Sequence, residues 1–429
     1  MQLVKSSMSV KERATNGLKI LLGKTKPFSQ IQGAWRFLNN KNVTTKALFN
    51  PIFENLQKEI KDHCKSYVLV MSDWSHLDYK KHTSKKELIS KKKKENGKQI
   101  GYDLQTSIAV SDITGEPIAP IVHNLKTSDK LYSTYNDEIS IDLKHLEELS
   151  LRATWIKDNL STKKPIVHIV DRESDSVAFM REMQKNENLF LLRVKNNSKL
   201  YYPKEDINIK QGDLADKLPL GQKVKSIKYR KKKVKIYVNE CDVEVKRDAS
   251  TFIISDSGKK RLQKTPGNTI KARFVVERLV DDKGKIVAQW LLITNILDKN
   301  VSAQTLATWY YYRWKIESYF KLLKTSGFNL EQWQQEEPIA LFRRLLVVSY
   351  ACVLVWKIAN DRSENAKKIR DFLVLLSGKL IERGTDFTHP ALLTGLWSYL
   401  QIMDIMELFS RDELFDIKRN LVHLMGVDI

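Results

Sequence analysis

Tyr310, Arg313, Glu317 and Lys324 fall at offsets of 0, 3, 7 and 14 within one strongly helical run, residues 308–324. At about 100° per residue, these offsets share an arc of roughly 60° on an α-helix. One stripe therefore carries a phenol, a guanidinium, a carboxylate and an ammonium, which is not a core face. A carboxylate can ligate a hard metal ion, and the flanking donors suit phosphate oxygens, so the set is what cutting a phosphodiester needs. The same residues also read as a solvated helix with an Arg313/Glu317 ion pair one turn apart.

Two more acids close apolar, strand-like runs: Asp73 ends residues 67–73 and Asp171 ends residues 165–171. A strand end puts its side chain at the sheet edge, facing a cleft. Were Glu317 to come from a helix packed across that edge, three carboxylates would meet. They would repel and raise each other's pKa unless cations held them, so convergence implies divalent metal. Two Mg²⁺ ions about 3.5–4 Å apart, or Mn²⁺ in their place, would activate water or a 3′-hydroxyl and stabilise the leaving oxygen. Either aspartate alone reads equally as a turn or cap residue.

The elements that must position these acids follow from periodicity. Residues 1–62 read as a helical N-terminal region, with Leu18, Ile20, Leu21 and Leu22 and then Trp35, Phe37 and Leu38 before a polar stop at 39–42. It serves either as a DNA-binding head or as a plain helical cap. Residues 63–197 give three strand runs (67–73, 101–112 and 116–125), a helix over 139–159, a strand at 165–171, a capped helix at 174–185 and a strand at 188–195. The order β-β-β-α-β-α-β belongs to a mixed α/β sheet and is that of the ribonuclease H-like fold. Residues 198–288 are turn-rich and β-branched, a β-rich insertion with strands expected at 227–238, 241–247 and 271–280. The core resumes over 289–340 with one strand and the helix bearing Glu317. Residues 341–429 are helical, with a break near 384–390 and amphipathic pieces suited to a partner or to the protein body.

Across 429 residues, Lys and Arg outnumber Asp and Glu by 73 to 51, a net charge of +22 that points to a polyanionic partner, nucleic acid first. The apolar run Leu345 to Trp356 is short for a bilayer and is bracketed by Arg343, Arg344 and Lys357, so a buried helix is expected and no membrane. The N-terminus carries no secretory pattern, so the expected location is cytoplasmic. Cys64, Cys241 and Cys352 lack the spacing of a disulfide framework or a zinc site. Lys80, Lys81, Lys85, Lys86 and Lys91 to Lys94 lie in the link between the first two strands, the last run expected as a solvated loop. The cluster at 228–235, with Tyr229 and Tyr237, is expected to track a DNA backbone without base specificity.

The pattern Tyr310-x2-Arg313-x3-Glu317-x6-Lys324 is similar to the signature of the insertion-sequence-four (transposon-five-like) family of bacterial cut-and-paste DDE transposases. Three blocks agree with it: Asp73-x3-Leu77-x-Tyr79, Asp171-Arg172-Glu173-x-Asp175, and residues 34–40. The resemblance implies a ribonuclease H-like catalytic core with a β-rich insertion, and Asp73, Asp171 and Glu317 as the catalytic, metal-binding triad. It further implies that Tyr310, Arg313 and Lys324 contact transposon-end phosphates, that Arg193 is another phosphate ligand, and that a flipped base stacks on Trp290. Trp290 by itself also reads as a core tryptophan on a strand.

The activity so implied is cleavage at transposon-end inverted repeats through a hairpin, then strand transfer into target DNA, by a homodimer on the bacterial nucleoid. Trp74 and Ser75 depart from the hydroxyl-rich residues the family often has after the first acid, and the N-terminal head is short for the family. Two rival readings stand beside this one. One is a structure-selective, metal-dependent DNA nuclease; the other is a non-catalytic DNA-binding relative acting as an inhibitor.

Overall fold

The computed structural model describes residues 27–93, 97–229, 232–254 and 260–425, so the apolar positions at 18–22 lie outside the described residues. Helices α1 (Pro27–Asn39) and α2 (Thr45–His63) flank the polar stop. The Thr44 hydroxyl accepts the Ala47 amide and starts α2, whose Phe49, Ile52, Leu56 and Ile60 make one buried face.

The sheet begins with β1 (Val68–Asp78), β2 (Ile89–Lys93), β3 (Gly97–Ser111), β4 (Pro117–Lys126) and β5 (Leu131–Ser133). Helix α3 (His145–Asn159), β6 (Ile166–Val170), a 3₁₀ turn at Arg172–Ser174, α4 (Val177–Lys185) and β7 (Leu189–Arg193) follow. The spatial order is β5-β4-β3-β1-β6-β7, with β3 antiparallel to β1 and with β1, β6 and β7 parallel. A mixed α/β architecture is therefore present, as the periodicity predicts. The predicted helix over 139–159 starts only at His145, where the Glu147 carboxylate accepts the Lys144 amide and marks the first turn.

Beyond β7 come β8 (Lys199–Tyr202), β9 (Ile207–Lys210), α5 (Gln211–Lys217), β10 (Gln222–Tyr229), β11 (Lys232–Val245), β12 (Ala249–Ile254), β13 (Lys260–Thr265), β14 (Ile270–Asp281) and β15 (Ile286–Thr294). Through β15, which pairs with both β7 and β14, these residues join the core sheet; among the described residues, only β12 and β13 form a separate pair. The single strand expected over 227–238 is instead a hairpin, β10 against β11, with Tyr229 opposite Lys232. The apolar positions change phase between the arms, from Ile227 and Tyr229 to Val234, Ile236 and Val238, across a basic run that holds no Gly or Pro to mark the reversal. The strand expected over 241–247 is the continuation of β11.

Another correction concerns the helix bearing the polar stripe, which is two helices, α6 (Ala303–Tyr311) and α7 (Trp314–Lys324). The amides of Arg313, Lys315 and Ile316 bond three residues back rather than four, a 3₁₀ tightening that resets the axis between them. The Tyr312 ring at this break packs on Gly115, where a Cβ would come within 2.3 Å of it and where φ is +69°.

The remaining helices are α8 (Pro338–Asn360), α9 (Glu364–Ser377), α10 (His389–Leu408) and α11 (Arg411–Met425). Helix α8 outruns the apolar stretch read from the sequence, and by length and composition it could cross a bilayer. Yet 83% of its apolar window is buried inside the protein, and it lies against α2 and β4 as a core helix. Cys64 and Cys352 are buried free thiols and Cys241 is half-buried.

One core cluster fills the space between the sheet and α2, α6, α7 and α8; a second lies under α3, α4 and α5. Helix α3 is pinned by a buried polar group: Arg152 donates to Glu148 at 3.0 Å, and Glu148 also accepts from Asn124 at 2.6 Å and Tyr135 at 3.0 Å. Removing one partner of a buried pair strands the other charge. Glu148→Ala is therefore expected to lower unfolding stability by about 3–5 kcal/mol, and Glu148→Gln by less, as read from urea-denaturation midpoints.

Candidate functional site

Register alone brings the first residues of the site together. In the parallel pair β1/β6, Val68 lies level with Ile166 and Met71 with Ile169, so the same offset carried two residues on sets Asp73 level with Asp171. In β6/β7, Val167 is level with Leu189 and Val170 with Leu192, and the next step sets Asp171 level with Arg193. Arg193 in turn faces Leu292 of β15. Adjacent strands stand about 4.8 Å apart and level residues share a face, so Asp73, Asp171 and Arg193 form one row. That row lies at the C-terminal ends of β6 and β7. The first five residues of β1 are buried; from Asp73 onward exposure rises, because β6 has ended and β1 continues with only β3 beside it.

Glu317 reaches the row through Arg313. The Arg313 guanidinium donates to Asp73 at 2.9 Å and to the Glu317 carboxylate, bridging β1 and α7. The i, i+4 ion pair offered as the plain reading of the stripe is thus present, but it is drawn to a third charge. Burial pushes the Asp73 carboxyl up to about 6; the charges of Asp171 and Glu317 push the same way, while the Trp74 amide and Arg313 oppose them. Burial also pushes the Tyr310 phenol up to about 12, against the pull of Arg313 and Arg193. Tyr310, Arg313, Arg193, Asp73, Asp171 and Glu317 therefore all share one electrostatic neighbourhood.

Lys324 does not join that knot. Seven residues beyond Glu317, it donates to the His76 carbonyl and pairs with Glu331 at 3.1 Å, further along β1. Trp290, on β15, lies two residues from Leu292 and so shares the face of Arg193. It is half-buried against the core, sits edge-on to Tyr229 at 6.3 Å, and opposes Glu277, whose carboxyl burial pushes up to about 7.

As placed, no three acids, histidines or cysteines among the described residues form a ready coordination shell. The reason is visible in Arg313, which occupies the space between two of the three acids as their shared cation. The donor chemistry still fits a hard divalent ion: carboxylate oxygens from β1, the end of β6 and α7, with one of them raised to about 6 by burial and, to a lesser degree, by its like-charged neighbours.

Two features escaped the sequence reading. A basic cleft of about 650 Å³ is lined by Arg172, Lys195, Lys199 and Arg247 beside the Asp171 turn. The available signal was Lys195 two residues after Arg193, on the same strand period. Lys91, expected in a solvated loop, instead lies on β2, bonds Asp103 and stands 5.6 Å over the Trp74 ring; Lys85 is buried and donates to the Gln335 carbonyl at 2.5 Å. Here β2 pairs with β3 and turns lysines that follow one another in sequence toward different partners.

A family model described as transposase DDE domain matches residues 65–356. No curated protein matches the sequence. Among solved structures, the chain is similar to the cryo-EM structure of the piggyBac transposase synaptic complex with hairpin DNA. The identity is 8% and the TM-score 0.34, over 97% of this chain and 73% of that one.

Asp73 titrates near 3.8 when unfolded and near 6 when folded, so ionising it disfavours the folded state. Its contribution to stability falls as pH rises from about 4 to about 6 and is level above that. Without divalent ions, Asp73→Asn should be more stable than wild type by about 1–3 kcal/mol near neutral pH, the gap closing below about pH 4. Adding Mg²⁺ should raise the wild-type melting temperature and leave the variant's unmoved. Melts across pH, with and without the ion, read both effects.

Proposed function

The chain belongs to the transposase DDE-domain family, whose model spans residues 65–356, and from that premise we propose that it is an insertion-sequence-four DNA transposase acting at the inverted ends of its own element. DDE transposases bind DNA and generally use divalent metal ions. The observation that carries the reading is the cross-strand row of Asp73, Asp171 and Arg193, with Glu317 tied to it through Arg313.

In this reading residues 63–197 and 289–340 are a ribonuclease H-like core, supported by the order β4-β3-β1-β6-β7 with β3 antiparallel. Residues 198–288 are its insertion, 1–62 a DNA-binding region and 341–429 a dimerisation region. Asp73, Asp171 and Glu317 would hold two Mg²⁺ ions, or Mn²⁺. When bound, such ions supply an activated water or 3′-hydroxyl and stabilise the leaving oxygen.

The chain's own residues do the positioning. Arg313 and Arg193, beside the acids, are placed to take the oxygens of the phosphate to be cut, and Tyr310 holds Arg313 from behind. The basic cleft of Arg172, Lys195, Lys199 and Arg247 continues that charge and guides the strand away from the acids. Lys324 anchors α7 to β1 and takes a phosphate further along the strand. Trp290 offers an indole on the same face as Arg193, suited to a base unstacked during hairpin formation. The apolar side chains that α10 and α11 leave in solvent, among them Met406, Phe415 and Leu424, support pairing of two copies on two ends. The work is done in the bacterial cytoplasm, on the nucleoid, and ends in strand transfer to target DNA.

The test uses DNA carrying the sequences that flank the coding region, incubated with protein and Mg²⁺. Wild type is expected to nick the ends, form hairpins and give strand-transfer products. Glu317→Gln should lower cleavage on the order of 10³-fold or more while gel-shift affinity stays within about threefold. Cleavage unchanged in that variant would overturn the assignment, and nicking without transfer would favour the nuclease reading.

A further inference from the structure

Asp73 and Trp74 are consecutive on β1, so their side chains leave opposite faces of the sheet. Asp73 turns to Arg313; Trp74 turns toward α3 and α4, where a cleft of about 700 Å³ opens. Its apolar wall is Leu143, Leu146 and Phe179, and Glu147 and Glu173 present carboxylates to it. The Trp74 indole, 37% exposed, stacks on the His145 imidazole with centroids 4.6 Å apart and planes 17° from parallel. Glu173, two residues past Asp171, lines the same cleft.

The geometry of the sheet connects this cleft to the acids. Beyond Met71, β1 has lost β6 as a neighbour, while its pairing with β3 runs on to Asp78. Asp73 and Asp171 border the notch this leaves, and Trp74 and Glu173 stand on its far side. A strand whose phosphate lies against the acids therefore runs beside the sheet edge at which Trp74 and Glu173, neighbours of Asp73 and Asp171 in the chain, line the cleft on the other face.

We propose that this cleft receives one nucleobase, unstacked from the DNA strand whose phosphate lies at Asp73 and Asp171. The proposal deepens the transposase reading and rests on it. The ring packs on Trp74 and the apolar wall, where stacking is tolerant of sequence because every base has a π-face. The edge of the base meets Glu173, which accepts N–H donors, while Glu147 is held by the amide and ammonium of Lys144 at the rim of the same cleft. Carboxylates favour the exocyclic amino groups of adenine, cytosine and guanine over thymine. This receptor is distinct from Trp290, which stands on the acid-bearing face.

The full chain carrying Glu317→Gln, bound to DNA from the element's flanks, is irradiated with 5-iodocytosine placed in turn at each position around the cleaved phosphate, and the cross-linked peptides are mapped. One position is expected to cross-link to the peptide bearing Trp74. That cross-link should be lost with Trp74→Ala, and also with Ala178→Trp, which fills the cleft from α4 without altering Trp74. An abasic site at the same position should weaken binding roughly tenfold in the parent and leave it unchanged in Trp74→Ala. DNA bound with cross-links only to the Trp290 peptide, or to neither, would overturn the cleft assignment alone, as would an unaffected cross-link in Ala178→Trp. Failure to bind the flanking DNA at all would overturn the transposase reading together with it.

Discussion

Like charges must be kept together for this site to exist, and the rest of the fold is arranged around that repulsion. Asp73, Asp171 and Glu317 come from the middle of β1, the end of β6 and a helix, and burial combined with mutual repulsion makes ionising Asp73 unfavourable. The Trp74 amide offsets part of it, and so does Arg313. Its guanidinium bonds Asp73 and Glu317 at once, and Tyr310 stands against it, so the positive charge is fixed rather than roaming. A divalent ion and a phosphate would divide the same tasks between them: the ion would take the carboxylates and the phosphate would take Arg313. In the proposed reading the arrangement is the resting form of an ion-binding site, with its counter-charge supplied by the chain.

Holding such a cluster requires rigid supports, and each support can be named. The acids of β1 and β6 are level because two parallel strands share an unbroken register over Val68–Met71. The helix bearing Glu317 is held on the sheet by apolar residues of α7, Ile316, Tyr319, Leu322 and Leu323, all buried. Its axis is set by the 3₁₀ break after Tyr311, which Gly115 permits by leaving room for the Tyr312 ring. Glu317 and Lys324 both lie beyond the break and share one stripe of α7, but seven residues of helical rise, about 10 Å, separate them. Lys324 therefore reaches the His76 carbonyl, further along β1.

This explains which parts of the molecule could be read from residues alone. Apolar runs ending in Asp73 and Asp171 were legible because burial on both faces of a parallel strand leaves a nearly continuous hydrophobic signature. The stripe of Tyr310, Arg313 and Glu317 was legible because helical spacing repeats over short distances. The break at Tyr312 was not, since both residues there keep right-handed helical dihedrals and neither is Gly or Pro. The β10/β11 reversal was hidden for a related reason: the basic run at 230–233 holds no Gly or Pro, and only a change of phase in the alternation marks the turn. The joining of the insertion to the core sheet through β15 is a pairing of segments about a hundred residues apart, which no local pattern encodes. Lys85 and Lys91 show the same limit, being charged in sequence like their neighbours and distinguished only by what the folded chain brings opposite them.

The charge distribution closes the argument. A net charge of +22 draws in any polyanion, but attraction by itself cannot select a position along a strand. Position has to come from features that are not merely basic. Around Asp171 the two clefts divide this labour by chemistry, one lined by Arg172, Lys195, Lys199 and Arg247, the other by apolar side chains, an aromatic stack and carboxylates. In the proposed reading the first suits a phosphate backbone and the second a base. A nucleotide that straddles the row of acids would therefore be oriented by the difference between the two sides of one sheet edge, its phosphate held on the cationic side and its base steered toward the other. That asymmetry costs the protein no additional domain, because it follows from consecutive residues of β1 pointing to opposite faces.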